Sequence, residues 1–115
     1  MAAVTLLHNP RCSKSRQALA LLEAAGATVE VRRYLDAPLD RSELEALSVK
    51  LGGSALSWTR TKEPAFKEAG LTRESSDAAL LDAMSTHPIL MERPVAIVGE
   101  RAVVGRPPER VHDLL

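Results

Sequence analysis

Apolar residues fall in short runs separated by polar corners, and their spacings, near 2 and near 3.6 residues, divide the chain into strands and helices. Residues 3–8 form a mainly apolar run closed by Asn9-Pro10, which predicts a short buried strand. Over 13–25, Ala18, Leu19, Leu22 and Ala25 share one helical face, and Gly26 is a stop signal. Val29, Val31 and Tyr34 predict a second strand, parallel to the first because a helix connects them. Pro38-Leu39-Asp40 opens a helix carrying Leu44, Leu47 and Leu51, ended by Gly52-Gly53. Another helix follows Ser75-Ser76-Asp77, carries Leu80, Leu81 and Met84, and stops near His87-Pro88. Between them Trp58–Pro64 reads as a loop or a single helical turn, so 38–88 is expected to be helical and free of strands. Residues 95–98 and 101–104 flank Gly99-Glu100 as a tight hairpin. Gly105-Arg106-Pro107-Pro108-Glu109 then starts a last helix with proline in its first turn, and Val111, Leu114 and Leu115 are expected to face the core.

The order is β-α-β, a helical block, then β-β-α. This predicts an α/β, thioredoxin-like fold: a four-stranded mixed sheet with flanking helices and a helical insertion at about 38–88. A length of 115 residues suits one compact domain spanning 1–115. Lys and Arg total 15 and Asp and Glu total 15, so no global basic field recruits nucleic acid or an anionic membrane. The N-terminus runs into His8 without a basic stretch or a long apolar run, and reads as a strand rather than a signal peptide or membrane span.

Cys12 is the only cysteine. It lies at a strand-to-helix corner among Arg11, Ser13, Lys14, Ser15 and Arg16, where a packing cysteine has little to pack against. Unpaired N–H groups at a helix N-terminus, the helix dipole and nearby cations all favour thiolate, so the placement points to a nucleophile. One cysteine forms no internal disulfide and a reactive one persists in a reducing compartment, which predicts a cytoplasmic protein.

Spacing narrows the chemistry. A phosphatase-type Cys-x5-Arg loop fails because Ala18 stands at the arginine position, and a Cys-x-x-Cys dithiol fails because Ser15 replaces the second sulfur. A monothiol remains, whose adduct needs an external thiol. The histidines show no metal-ligand spacing, and no metal is expected. His87 and His112 read as surface or capping residues, whereas His8 is either a partner near the thiolate or a simple strand-end residue. Composition alone predicts a trans Arg93-Pro94 bond. In a thioredoxin-like sheet the strand beginning at Val95 faces the Cys12 corner, which brings Arg93 and Arg106 toward the sulfur. Arg60, Arg93 and Arg106 all sit at loop or turn positions, and guanidinium forks match tetrahedral oxyanions.

The stretches 8–16, Arg60-Thr61-Lys62-Glu63, His87-Pro88-Ile89-Leu90, Glu92-Arg93-Pro94 and Gly105-Arg106-Pro107-Pro108-Glu109 resemble the glutaredoxin-linked arsenate reductase family, and most closely its branch of arsenate reductase-related proteins. The resemblance implies catalytic Cys12, oxyanion binding by Arg60, Arg93 and Arg106, and a cis Arg93-Pro94 bond. His8, Ser13, Ser15, Arg16 and Pro94 are expected to support the site. It also implies that glutathione adds to a cysteine–arsenate adduct as co-substrate and that glutaredoxin completes reduction to arsenite, with no bound cofactor. Arg11 and Glu92 depart from the pattern, which often has a small residue and Asn there. A glutathione-dependent thiol-disulfide oxidoreductase and a thiol-responsive transcription regulator binding RNA polymerase stay open as alternatives.

Overall fold

The structure, a computed structural model, describes residues 3–115. The chain divides into two compact units, one made of the chain up to Ala37 together with Arg93–Leu115, the other of Pro38–Glu92.

The first unit holds a four-stranded sheet of β1 (Ala3–Leu7), β2 (Thr28–Arg32), β3 (Val95–Val98) and β4 (Arg101–Val104), in the order β2-β1-β3-β4. β1 pairs parallel with β2, placing Leu6 opposite Val31, and antiparallel with β3, placing Leu6 opposite Ala96. β3 and β4 are antiparallel with Val95 opposite Val104. The predicted thioredoxin-like mixed sheet is therefore present. Alternation puts Val4 and Leu6 on one face, where they meet Ala18 and Leu22 of α1 (Ser13–Ala24) in a buried cluster with Ala96, Val111 and Leu114. Tyr34 lies beyond the end of β2 but is buried, so it serves the core from a turn.

The last segment differs from expectation. Pro108–Leu114 is a 3-10 helix, because two prolines at its start remove donors and the segment is short. At three residues per turn Val111 and Leu114 stack on one side, while Leu115 turns away and is 50% exposed.

The second unit contains α2 (Arg41–Leu51), a 3-10 turn at Ala55–Trp58, α3 (Pro64–Glu68), α4 (Asp77–Thr86) and a 3-10 turn at Pro88–Leu90. Asp40 caps α2 in a capping box: its carboxylate accepts from the Glu43 N–H, and the Glu43 carboxylate accepts from the Asp40 N–H. Ser76 caps α4, accepting from the Ala79 N–H. Arg41 on α2 reaches Asp82 on α4. Leu44, Leu47, Trp58, Phe66, Leu80 and Met84 are all buried. No separate periodicity marks α3, which is only five residues long. One exception breaks the strand-free expectation, an isolated antiparallel bridge between Thr59 and Met91.

Candidate active site

The turn that presents Cys12 is built by Asn9 and Pro10. The Cys12 N–H donates to the Asn9 carbonyl at 3.0 Å, closing a four-residue turn with proline at its second position, where a fixed φ is favoured. The Asn9 side chain accepts from the Arg11 N–H at 3.0 Å, a second local closure. Cys12 has extended backbone (φ −94°, ψ 122°) and is the N-cap of α1, whose first bond runs from the Arg16 N–H to the Cys12 carbonyl at 3.1 Å. The sulfur is half-buried.

Burial alone pushes the Cys12 thiol up, but the net shift is downward. The backbone N–H groups of Ser15 and Lys14 favour the thiolate, followed by the Arg93 charge and the Arg106 side chain. The sulfur makes no strict cap hydrogen bond, yet aligned N–H dipoles stabilise an anion without ideal bond geometry. Arg106 Nη1 stands 3.9 Å from Sγ, at the outer limit for an N–H···S contact, and also donates to the Arg93 carbonyl at 3.2 Å. Arg11, Lys14 and Arg16 were expected to act through their charges. The structure instead uses the backbone of Lys14, sets the Arg16 guanidinium on the Pro10 carbonyl at 2.8 Å, and leaves the Arg11 and Ser13 side chains exposed.

His8 and Ser15 form the buried support. Ser15 Oγ lies 2.6 Å from His8 Nδ1 and accepts from the Asn9 N–H at 3.1 Å. Ser15 Oγ already accepts from Asn9, and its own hydrogen is used if it donates to an unprotonated Nδ1, which assigns the ring proton to Nε2. The pKa of His8 is lowered, first by burial and then by the charges of Arg33 and Arg16, which agrees with a neutral ring. His8 thus reaches the sulfur indirectly: it holds Ser15, and the Ser15 N–H faces Sγ.

The arginine-bearing corners are joined through Gly105. Arg93-Pro94 and Arg106-Pro107 are both cis: the first is the isomer that the family resemblance implies, against the trans bond expected from composition alone, and the second was not expected. The Gly105 N–H donates to the Pro94 carbonyl at 2.8 Å. A Cβ at Gly105 would stand 2.9 Å from Pro94 Cγ and 3.1 Å from Val111 Cγ1, so only glycine permits this approach. Glycine between a valine run and Arg-Pro was the available signal for it.

Arg60 belongs to the second unit. Its N–H donates to the Leu90 carbonyl at 2.7 Å, its guanidinium to the Ile89 carbonyl at 3.3 Å, and it pairs with Glu63, both side chains being 19% exposed. The Glu63 partner was not anticipated, although Glu63 stands three residues on, within reach of one helical turn. Glu92 is half-buried, and its N–H donates to the Trp58 carbonyl at 2.9 Å. Among the described residues no three His, Cys, Asp or Glu side chains are grouped to hold a metal, and no helix is long and apolar enough to cross a membrane.

The sequence is similar to known proteins over essentially its whole length. It is 47% identical over 117 residues to an arsenate reductase of Neisseria meningitidis serogroup A, covering 100% of both chains. It is 45% identical over 114 residues to the uncharacterized protein YfgD of Escherichia coli K12, covering 97% of this chain and 96% of that one. Among solved structures, an arsenate reductase from Vibrio cholerae superposes with a TM-score of 0.93 at 41% identity, covering 99% of this chain and 98% of the other. The ArsC family model matches residues 7–114, a span that contains the Cys12 turn, both cis prolines and Arg106, and the chain therefore belongs to the ArsC family.

Proposed function

We propose that the protein reduces arsenate to arsenite through Cys12, with glutathione as co-substrate, glutaredoxin as the second thiol donor and no resident cofactor, in the cytoplasm. The observation that carries this reading is the Cys12 sulfur at the start of α1, biased toward thiolate and 3.9 Å from Arg106. Thiolate is the nucleophilic form, and the cations that stabilise it also suit a tetrahedral oxyanion.

The thiolate attacks arsenic(V), and one arsenate oxygen leaves as water. A glutathione thiol then displaces a second oxygen as water, giving arsenic bonded to both sulfurs. A glutaredoxin thiolate attacks the glutathione sulfur, a disulfide forms, and the As–S electron pair stays on arsenic, reducing it to arsenic(III). Water then takes the place of Cys12 on arsenic and arsenite departs. In sum, one arsenate and two external thiols give one arsenite, one disulfide and one water.

Arg93 and Arg106 are assigned to the oxyanion, with backbone N–H groups after Cys12. Arg60 enters as a third ligand from the sequence resemblance, and Arg60→Ala tests it by the KM for arsenate. Supporting the whole reading are the arsenate reductase relatives and the family membership. The decisive experiment measures arsenite formed from arsenate with glutathione and glutaredoxin, alongside mass spectrometry for an arsenic adduct on residue 12. Turnover that is abolished by Cys12→Ser supports the assignment; turnover that survives it rejects Cys12 as the nucleophile.

A further inference from the structure

A groove of about 240 Å3 opens beside the Cys12 turn. One wall is Asn9, Pro10 and Arg11, and the other is Arg33, Leu35 and Asp36 from the turn after β2. Both walls are fixed by hydrogen bonds. The first is closed by the Asn9 bonds to Cys12 and Arg11, and by Arg16 on the Pro10 carbonyl. In the second, the N–H groups of Asp36 and Ala37 both donate to the Arg33 carbonyl, and Arg32 Nε donates to the Ala37 carbonyl at 3.0 Å.

His8 also lines this groove, and the charge of Arg33 helps to keep its ring neutral, but neither Arg11 nor Arg33 acts on the sulfur. The thiolate draws on Arg93 and Arg106, not on Arg11 or Arg33. Arg33 pairs with Asp36 at 3.2 Å, with side chains 61% and 68% exposed. Such an exposed pair is worth about 0–1 kcal/mol, so a ligand opens it at little cost. The groove therefore offers two guanidinium groups, one carboxylate and an apolar patch at Leu35.

The protein holds a single cysteine, so each turnover takes its electrons from an outside thiol. At neutral pH glutathione carries two carboxylates and one ammonium group, the complement of this groove. We infer that the groove docks glutathione, its carboxylates on Arg11 and Arg33 and its ammonium on Asp36. Guanidinium forks bind carboxylates in a bidentate manner, which fixes orientation as well as charge. The groove borders the turn that presents the reacting sulfur, since Arg11, which lines it, directly precedes Cys12. The groove is smaller than the roughly 300–1,000 Å3 of sites that enclose their ligand, which suits a co-substrate that must leave after each cycle. The identity of the thiol rests on the functional reading above; the charge match does not.

The test titrates S-methylglutathione, which cannot react, into the full chain and follows backbone amide shifts by NMR. Saturable shifts are expected at residues 9–11 and 33–36. Arg11→Glu and Arg33→Glu should each weaken binding about tenfold, equivalent to about 1.4 kcal/mol, and esterifying both ligand carboxylates should do the same in the unaltered protein. In turnover, the same substitutions should raise the KM for glutathione about tenfold, with the arsenate KM moving far less. Should Arg33→Glu fail to fold beside Asp36, Arg11→Glu gives the same reading from the opposite wall. Shifts confined to other residues, or unchanged affinity in the variants, overturn the assignment. An unaltered protein that binds S-methylglutathione at these residues without turning over arsenate refutes the functional reading while the groove stands. Turnover with variants indistinguishable from the unaltered chain refutes the groove alone.

Discussion

Replacing Ser15 by alanine should loosen the turn that presents the nucleophile without touching the nucleophile itself. Ser15 is 0% exposed, and its hydroxyl serves His8 Nδ1 at 2.6 Å and the Asn9 N–H at 3.1 Å. The substitution strands a buried ring nitrogen, at about 1–3 kcal/mol, and a half-buried amide, at about 1 kcal/mol. The sum of about 2–4 kcal/mol lowers Tm by roughly 8–16 °C, using about 4 °C per kcal/mol for a chain of this size. Calorimetry reads that loss directly. Alkylation of Cys12 by iodoacetamide across pH reads the chemical effect: its midpoint should rise, because the Ser15 and Lys14 N–H groups lose their aim at the sulfur. A double-mutant cycle with His8→Phe isolates the pair. With no ring nitrogen left to strand, Ser15→Ala should cost at least about 1 kcal/mol less in that background. Additive costs in the cycle, or a Tm within about 2 °C of the unaltered protein, would show that this hydroxyl does not hold the turn.

Arg106→Ala should raise the alkylation midpoint of Cys12 and reduce kcat/KM for arsenate about 100-fold, the usual order for losing one oxyanion donor; a change under about threefold would remove Arg106 from the site. Gly105→Ala should destabilise the protein by about 1–3 kcal/mol and slow Cys12 alkylation, because a Cβ 2.9 Å from Pro94 forces the two arginine corners apart; an unchanged melting curve contradicts the close approach. The pKa of His8 is depressed in the fold, so below about pH 6.5 the unfolded chain binds the proton more readily, and stability falls with pH until the folded value is passed. Urea titrations between neutral and mildly acidic pH should show that loss, and His8→Phe should flatten it.

Local signals revealed the sheet and the reactive corner. Val4 and Leu6 before Asn9-Pro10, and Ala18 and Leu22 ahead of Gly26, encode β1 and α1 within a few residues of the atoms they position. Cys12 stood out because polar neighbours leave it nothing to pack on. What escaped depends on contacts distant in the chain. The meeting of Gly105 with Pro94 follows from the β3–β4 register, and the cis Arg106-Pro107 bond has no signature beyond the proline itself. The pairing of Arg60 with Glu63 has no signal beyond their spacing of three residues in a segment without helical periodicity. Periodicity near 3.6 also cannot separate a short 3-10 segment from an α-helix, which is why Leu115 was assigned inward.

The first turn of α1 contains no acidic side chain, and its N-cap is Cys12. Most helices carry a permanent negative or polar cap there, whereas this one relies on an atom whose charge varies with its covalent state. Attraction between an anion and a helix start is worth about 0.3–1 kcal/mol, and the relation is reciprocal: the helix favours ionised sulfur, and ionised sulfur tightens the helix. An uncharged cap such as carbamidomethyl should soften the element, while an anionic adduct should preserve it. Heat resistance of the protein thereby becomes a gauge of which chemical form residue 12 is in, legible without any substrate assay.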